Sequence, residues 1–267
     1  MAKVRGESGR YVSQEAINQT RRIALLAVGF IALLAVLEGM VLASFIPVRL
    51  VPAWIRLLVV ILILPALWLL NRWGNKKLVG LEKRRADMRR GAAGEIQVGS
   101  ILADFPDDFF VINDLKTPTA NLDHIVVGPT GVFMLDSKNW RGVVSADGHG
   151  ELVCNGKPTD KPEVRQLVAR MLGIRDRVRV LAPNVDPYYQ ALLVFTAARV
   201  EAKWGSTGNA CCIRDNQLHE YIVEKTFGKR LSPDEVKTIA RAFLGLARMD
   251  RDFASTPPMP VGPSTVN

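Results

Sequence analysis

Apolar positions are distributed very unevenly along the chain. Residues 23–46 are almost wholly apolar, enough for a helix that crosses a bilayer, and 54–70 form a second, shorter apolar run containing Pro65. The link at 47–53 makes the two a helical hairpin. Residues 76–105 predict a further helix, in which Gly91, Gly94 and Gly99 permit close approach to a sheet at some cost in helix stability. Short β-like runs then follow at 111–113, 122–127 and 132–135, the last two joined by Gly128-Pro129-Thr130-Gly131, a turn signal. Residues 142–146 and 151–154 predict short strands around Asp147-Gly148. An amphipathic helix is expected over 163–181, buried strands over 191–196 and 210–213, and helices over 215–227 and 232–249. Ser232-Pro233-Asp234-Glu235 has a serine cap and a first-turn proline. The tail, 255–267, is rich in proline, serine and threonine and reads as disordered.

Charge gives the apolar hairpin an orientation. Lys3, Arg5, Arg10, Arg21 and Arg22 precede it and Arg72, Lys76, Lys77, Lys83, Arg84, Arg85, Arg89 and Arg90 follow it, whereas the connecting link offers only Arg49, with Arg56 at the edge of the next run. The positive-inside rule then puts both termini in the cytoplasm and the protein in the cell membrane, as a multi-pass protein. A cleaved signal peptide ending near Ala43-Ser44 is the competing reading, opposed by the length of the first run and the presence of a second. Glu38 lies toward the outer half of the first span, within reach of the interface. Gly29, Gly39 and several alanines suit close packing of the two helices.

The most pointed chemistry lies in the strand pair. With the turn centred on Pro129-Thr130, Asp123 falls opposite Asp136, and alternation of side chains puts Asp123, Asp136 and Lys138 on one face with Ser137 and His124 on the other. A three-residue loop with Gly131 as a bulge would instead turn Asp123 to the wrong face. Like charges directly opposite destabilise a hairpin by roughly 0.2–1 kcal/mol unless a cation lies between them. A D-x-K triplet by itself is more often a solvated pair, yet here it ends apolar strands, where unpaired charge is costly. His149 and His219 have no ligand-like spacing with the cysteines, which argues against a zinc site.

Gly91-Ala92-Ala93-Gly94-Glu95, Leu122-Asp123-His124-Ile125-Val126-Val127-Gly128-Pro129, Gly131-Val132-Phe133 and Asp136-Ser137-Lys138-Asn139-Trp140-Arg141-Gly142 together resemble a NERD (nuclease-related) domain, grouped with the PD-(D/E)xK restriction-endonuclease-like nucleases. Leu122 stands where the superfamily name has proline, and Asp136 where glutamate is common. The resemblance implies an α/β fold with a restriction-endonuclease-like core: a helix, a mixed sheet with a central hairpin, and flanking helices, behind the two-helix transmembrane hairpin. It implies that Glu95, Asp123 and Asp136 ligate or orient Mg²⁺ or Mn²⁺, that Lys138 positions the attacking water, and that Gln166 is a further polar participant. The expected organisation is a basic N-terminus (1–22), spans at 23–46 and 54–70, a basic connector (71–87), the nuclease-like domain (88–200), a C-terminal helical extension (201–254) and the tail.

A net charge of +9 over 267 residues adds little about a nucleic-acid partner, because much of the excess flanks the apolar runs. Basic segments beside a membrane suit anionic headgroups as well as phosphate backbones. Cys154, Cys211 and Cys212 are odd in number, without a C-x-x-C pattern, and imply no disulfide framework. Three readings stay open: a membrane-anchored hydrolase acting on DNA or RNA, a scaffold that keeps the fold without turnover, and a lipid-facing module that recruits protein partners.

Overall fold

A computed structural model describes residues 1–6, 10–44, 52–117, 120–202, 210–225 and 228–255. The chain divides into two compact units, Met1–Arg10 with Gly91–Asn267, and Tyr11–Arg90. It opens with β1 (Lys3–Arg5), continues through two long helices, α1 (Arg10–Ser44) and α2 (Ala53–Ala103), and then builds β2 (Phe110–Thr117), β3 (Ala120–Gly128), β4 (Gly131–Lys138), β5 (Gly142–Ala146), β6 (Leu152–Cys154) and β7 (Lys157–Pro158). After α3 (Glu163–Leu181) come β8 (Tyr189–Phe195), β9 (Ala198–Val200), β10 (Ala210–Arg214), a 3-10 turn at Asp215–Gln217, a π turn at Glu220–Glu224, and α4 (Pro233–Ser255).

The larger unit is α/β, with a mixed six-stranded sheet in the order β1-β2-β3-β4-β8-β10 and a small second sheet in the order β7-β6-β5-β9. β2, β3 and β4 form an antiparallel meander, while β8 lies parallel to β4 and β10 parallel to β8. β4 is central and covered on both faces, which explains its continuous apolar run in place of alternation. Val132 and Met134 pack with Leu167, Met171 and Ile174 of α3 and Phe243 of α4. Phe133 and Leu135 face the opposite way, onto Val98 and Leu102 of α2 and Phe105 just after it. Each such fully buried side chain contributes on the order of 1.5–3 kcal/mol, so the strand that carries Asp136 and Lys138 is clamped on both faces.

Three local signals read from the chain reappear as geometry. α3 spans the residues expected of it. At the start of α4, Ser232 Oγ accepts from the Glu235 N–H at 3.3 Å and Glu235 Oε2 accepts from the Ser232 N–H at 2.7 Å, a reciprocal capping box. Gly128 pairs with Gly131 across the β3–β4 turn.

Other expectations change. The helix expected over 215–227 is reduced to two short turns. The helix expected over 76–105 is continuous with the second apolar run, and β1 was not foreseen at all: it adds a parallel edge strand to β2, pairing Lys3 with Phe110 and Arg5 with Ile112. Among the described residues no helix is long and apolar enough to cross a membrane, so the expected hairpin of spans at 23–46 and 54–70 is not supported. Residues 45–46 of the first run, most of the link between the runs, and the tail 256–267 lie outside the described residues. Within the smaller unit, Gly29 and Gly39 have open space where close packing was expected. Gly74 is the tight position, since a Cβ there would sit 2.6 Å from the Phe30 ring.

Candidate active site

The site forms where β3 and β4 part at the far end of their hairpin. The ladder runs from Gly128 opposite Gly131 to His124 opposite Leu135, the register that places Asp123 against Asp136. Thr130 in the turn is anchored by donating to the Ile222 carbonyl at 2.6 Å. Beyond His124 a side chain takes over the pairing: Asp123 Oδ2 accepts from the Ser137 N–H at 2.9 Å and from the Ser137 hydroxyl at 3.1 Å. Parity alone sends Ser137 to the face opposite Asp123, yet its hydroxyl donates to Asp123; Ile112 and Leu115 on β2, and Leu122 and Ile125 on β3, share one cluster, so alternation is broken at Asp114 and Asp123. On the other side of β3, Asp114 stands opposite Asp123 between the pairs Asn113–His124 and Leu115–Leu122, and its φ of 52° opens the ladder there. A non-glycine residue in that left-handed region stores strain of order 1–3 kcal/mol.

Lys138 and Asp136, two apart on β4, share the face packed by α3. Lys138 Nζ is 3.1 Å from Asp136 Oδ1 and 2.9 Å from Glu163 Oε2, with all three side chains less than one-fifth exposed. Arg170 lies 3.8 Å from Asp136 Oδ2 and donates to Gln166 Oε1 at 3.4 Å. Glu163, Gln166 and Arg170 are spaced three and four apart, on one face of α3. Gln166 therefore joins the site through Arg170 and not by direct contact with the carboxylates. The start of α3 is itself held, because Glu151 accepts from the Val164 and Arg165 N–H groups at 3.1 and 2.9 Å. Burial opposes the charge on Lys138, but Asp136 and Glu163 outweigh it and raise its pKa.

Glu95 enters from the opposite face on α2, where Gly94 lets the helix approach the ends of β4 and β8; a Cβ on Gly94 would stand 3.1 Å from Asn139 Cβ. Burial, then Asp114 and Asp136, push the Glu95 carboxyl up to about 7, with Lys138 acting the other way. Asp123 is likewise held well above the usual carboxylate range, by burial first and then by Asp136 and Glu95, against the Ser137 N–H and Lys138. The acids thus feel one another across the end of the sheet. Among the described residues, however, no three His, Cys, Asp or Glu side chains are grouped so as to hold one metal ion.

His124, expected to be a core or supporting residue, is buried and bonded through Nδ1 to Asn113 Oδ1 at 2.8 Å. Burial lowers its pKa to about 4, Asp136 and the Glu95 backbone opposing. It is a neutral strut next to Asp123.

Residues 90–196 match the nuclease-related domain, NERD. That segment includes Glu95, Asp123, Asp136, Lys138 and Gln166, and it runs from the close approach of α2 to the end of β8. No curated protein and no solved structure matches the chain. Outside the quoted NERD-like motifs, Asp114, Glu163 and Arg170 were missed as site residues. Glu163 was legible as an acid opening a helix after Pro162; Asp114 left no signal, because its role comes from a backbone conformation.

Proposed function

We propose that this protein is a membrane-anchored, nuclease-like enzyme that hydrolyses phosphodiester bonds of DNA, or of RNA, with Mg²⁺ or Mn²⁺. The observation that carries the reading is the 3.1 Å pairing of Lys138 with Asp136 at the end of a buried strand, with Asp123 tied beside them to Ser137. The donors suit a hard cation in kind, being carboxylate oxygens that repel one another. Mg²⁺ asks for only one or two carboxylates besides waters and substrate phosphate. Asp123 and Asp136 would hold it, with Glu95 completing or orienting the set. A bound divalent ion supplies Lewis acidity and an acidified water.

The remaining work falls to side chains. Lys138 stabilises negative charge developing on the phosphoryl oxygens and holds the nucleophile in line. Glu163 steadies the ammonium, and Arg170 does the same for Asp136.

The membrane part of the proposal is supported by exposed apolar side chains along α1 and α2: Leu25 is 73% exposed, Val28 66%, Ile31 64% and Trp68 61%. Large exposed apolar surface marks contact with a partner or a lipid phase. The segments before and after the apolar runs, Met1–Arg10 and Gly91 onward, belong to one unit, so an anchor between them would leave both on the same side of a bilayer. The flanking lysines and arginines assign that side to the cytoplasm and to anionic headgroups.

The test is cleavage of single- and double-stranded DNA and of RNA by the purified full-length protein. Wild type should cut at least one of them with Mg²⁺ or Mn²⁺, while Asp136→Ala and Lys138→Ala should be inactive yet folded by circular dichroism. The engagement of Lys138 by two carboxylates, with no ready three-donor group among the described residues, favours a second reading: a scaffold that binds nucleic acid or protein without turnover. Wild type as inert as both variants on every substrate would establish that alternative.

A further inference from the structure

A groove of about 480 Å³ opens beside the site, lined among others by Trp140, Arg141, Pro158, Lys161 and Glu163. Glu163 is shared: it forms part of the groove wall and also holds Lys138. Resting on the nuclease reading, we infer that this groove seats a single nucleic-acid strand, Arg141 and Lys161 holding the phosphates next to the scissile one and Trp140 packing against a base or sugar.

Three features support this. The cations are available, since the side chains of Arg141 and Lys161 are exposed and have no carboxylate partner among the described residues. Of the acids lining the groove, Glu163 is neutralised by Lys138, and only Asp160 stands on the rim. The aromatic is supported: the half-buried Trp140 packs on Phe195 at a centroid distance of 5.5 Å and an interplanar angle of 59°. The base of Arg141 is fixed as well, its carbonyl accepting from Cys154 Sγ at 3.5 Å and Asn155 Nδ2 at 3.3 Å while Asn155 Oδ1 accepts from the Val143 N–H at 2.9 Å. A pre-set contact loses less freedom when a ligand arrives.

The combination of backbone-tracking cations and a stacking ring is that of single-strand binders. The size agrees, because 480 Å³ lies within the range of pockets that take small ligands, roughly 300–1,000 Å³, enough for one or two nucleotides. The substrate class is therefore single-stranded or frayed nucleic acid, with the strand leading from the groove to Lys138.

Fluorescence anisotropy with the full-length protein in EDTA tests this, using a labelled oligodeoxynucleotide as a single strand, as a duplex with an overhang, and as a blunt duplex. The single strand and the overhang should bind at least about 5-fold tighter than the blunt duplex, and Trp140→Leu should remove most of that preference. Arg141→Ala and Lys161→Ala, both at exposed positions, should each flatten the slope of log affinity against log salt by about 0.7. Unchanged affinity and slope in those two variants, or preference for the blunt duplex, overturns the groove assignment, and cleavage by wild type would then leave the nuclease reading intact. Failure of wild type to bind or cut any nucleic acid overturns both.

Discussion

The carboxylate of Glu163 lies 2.9 Å from the ammonium of Lys138, closer than Asp136, its neighbour on the same strand, at 3.1 Å. Lys138 is therefore held from two elements, so that its position does not depend on Asp136 alone. Glu163→Gln should leave Lys138 on the site with one partner fewer. The expected loss is about 1 kcal/mol in urea denaturation, between the values for exposed pairs and for fully buried ones. If Glu163 positions the lysine during catalysis, the variant lowers kcat more than it raises KM; equal stability and equal kcat would remove Glu163 from the site.

Asp123→Asn should keep the fold, because the amide oxygen can still accept from the Ser137 N–H and hydroxyl. Titration with Mn²⁺, followed by calorimetry or by paramagnetic broadening, should show binding in wild type and its loss in the variant. Undiminished binding in the variant would remove Asp123 from the ligand set.

Glu95 should make stability fall as pH rises. Its folded pKa, about 7, exceeds the ordinary 4.5, so the native state holds more protons between those values and stability declines across that window. Glu95→Gln should reduce this slope, leaving the part that comes from Asp123, and stabilise the protein at pH 8. The gain is on the order of 1–2 kcal/mol after allowing for solvent screening of a partly exposed group. A cation bound at the site should suppress the same slope, releasing protons as it binds.

His124 acts with the opposite sign. Its folded pKa, about 4, lies below the ordinary 6.5, so the unfolded chain binds more protons between them and stability is lost as pH falls from 6.5 toward 4. Thermal melts of wild type and His124→Gln over that range should converge at low pH. Parallel curves would mean that His124 is charged in the native state.

Gly6 should be intolerant of side chains. It has a φ of +83°, and a Cβ there would stand 2.4 Å from the Asn113 carbonyl oxygen. Gly6→Val is expected to cost about 1–3 kcal/mol and to lower hydrogen-exchange protection of the β1 and β2 amides. Unaltered protection would mean that β1 does not pair with β2 in solution.

Much of the site was legible because a hairpin is a local object. The Gly128–Gly131 turn sets the register of both strands, and the two-residue spacing puts Asp136 and Lys138 together, whereas the bond of Asp123 to Ser137 departs from simple alternation. The α3 boundaries and the α4 cap were equally local, resting on helix periodicity and on Ser232 with Glu235. β1 was not legible, because three residues of edge strand have no periodicity, and their partner, β2, lies beyond two long helices. The turns at Asp215–Gln217 and Glu220–Glu224 resemble a helix in sequence, and Tyr221 and Ile222 of the second turn are buried in the core.

By itself the amino-acid order determined the α/β class of the larger unit, the hairpin register and the closeness of Asp136 to Lys138, since these depend on neighbours within one turn or one strand pair. Only the tertiary structure decided which distant groups meet them: Glu163 and Arg170 from α3 on one side, Glu95 from α2 on the other, and Asp114 through a left-handed backbone step. Those groups meet because both faces of β4 are buried under helices whose packing is set by side-chain volume and close approach, as at Gly94, and sequence spacing does not encode contacts of that kind.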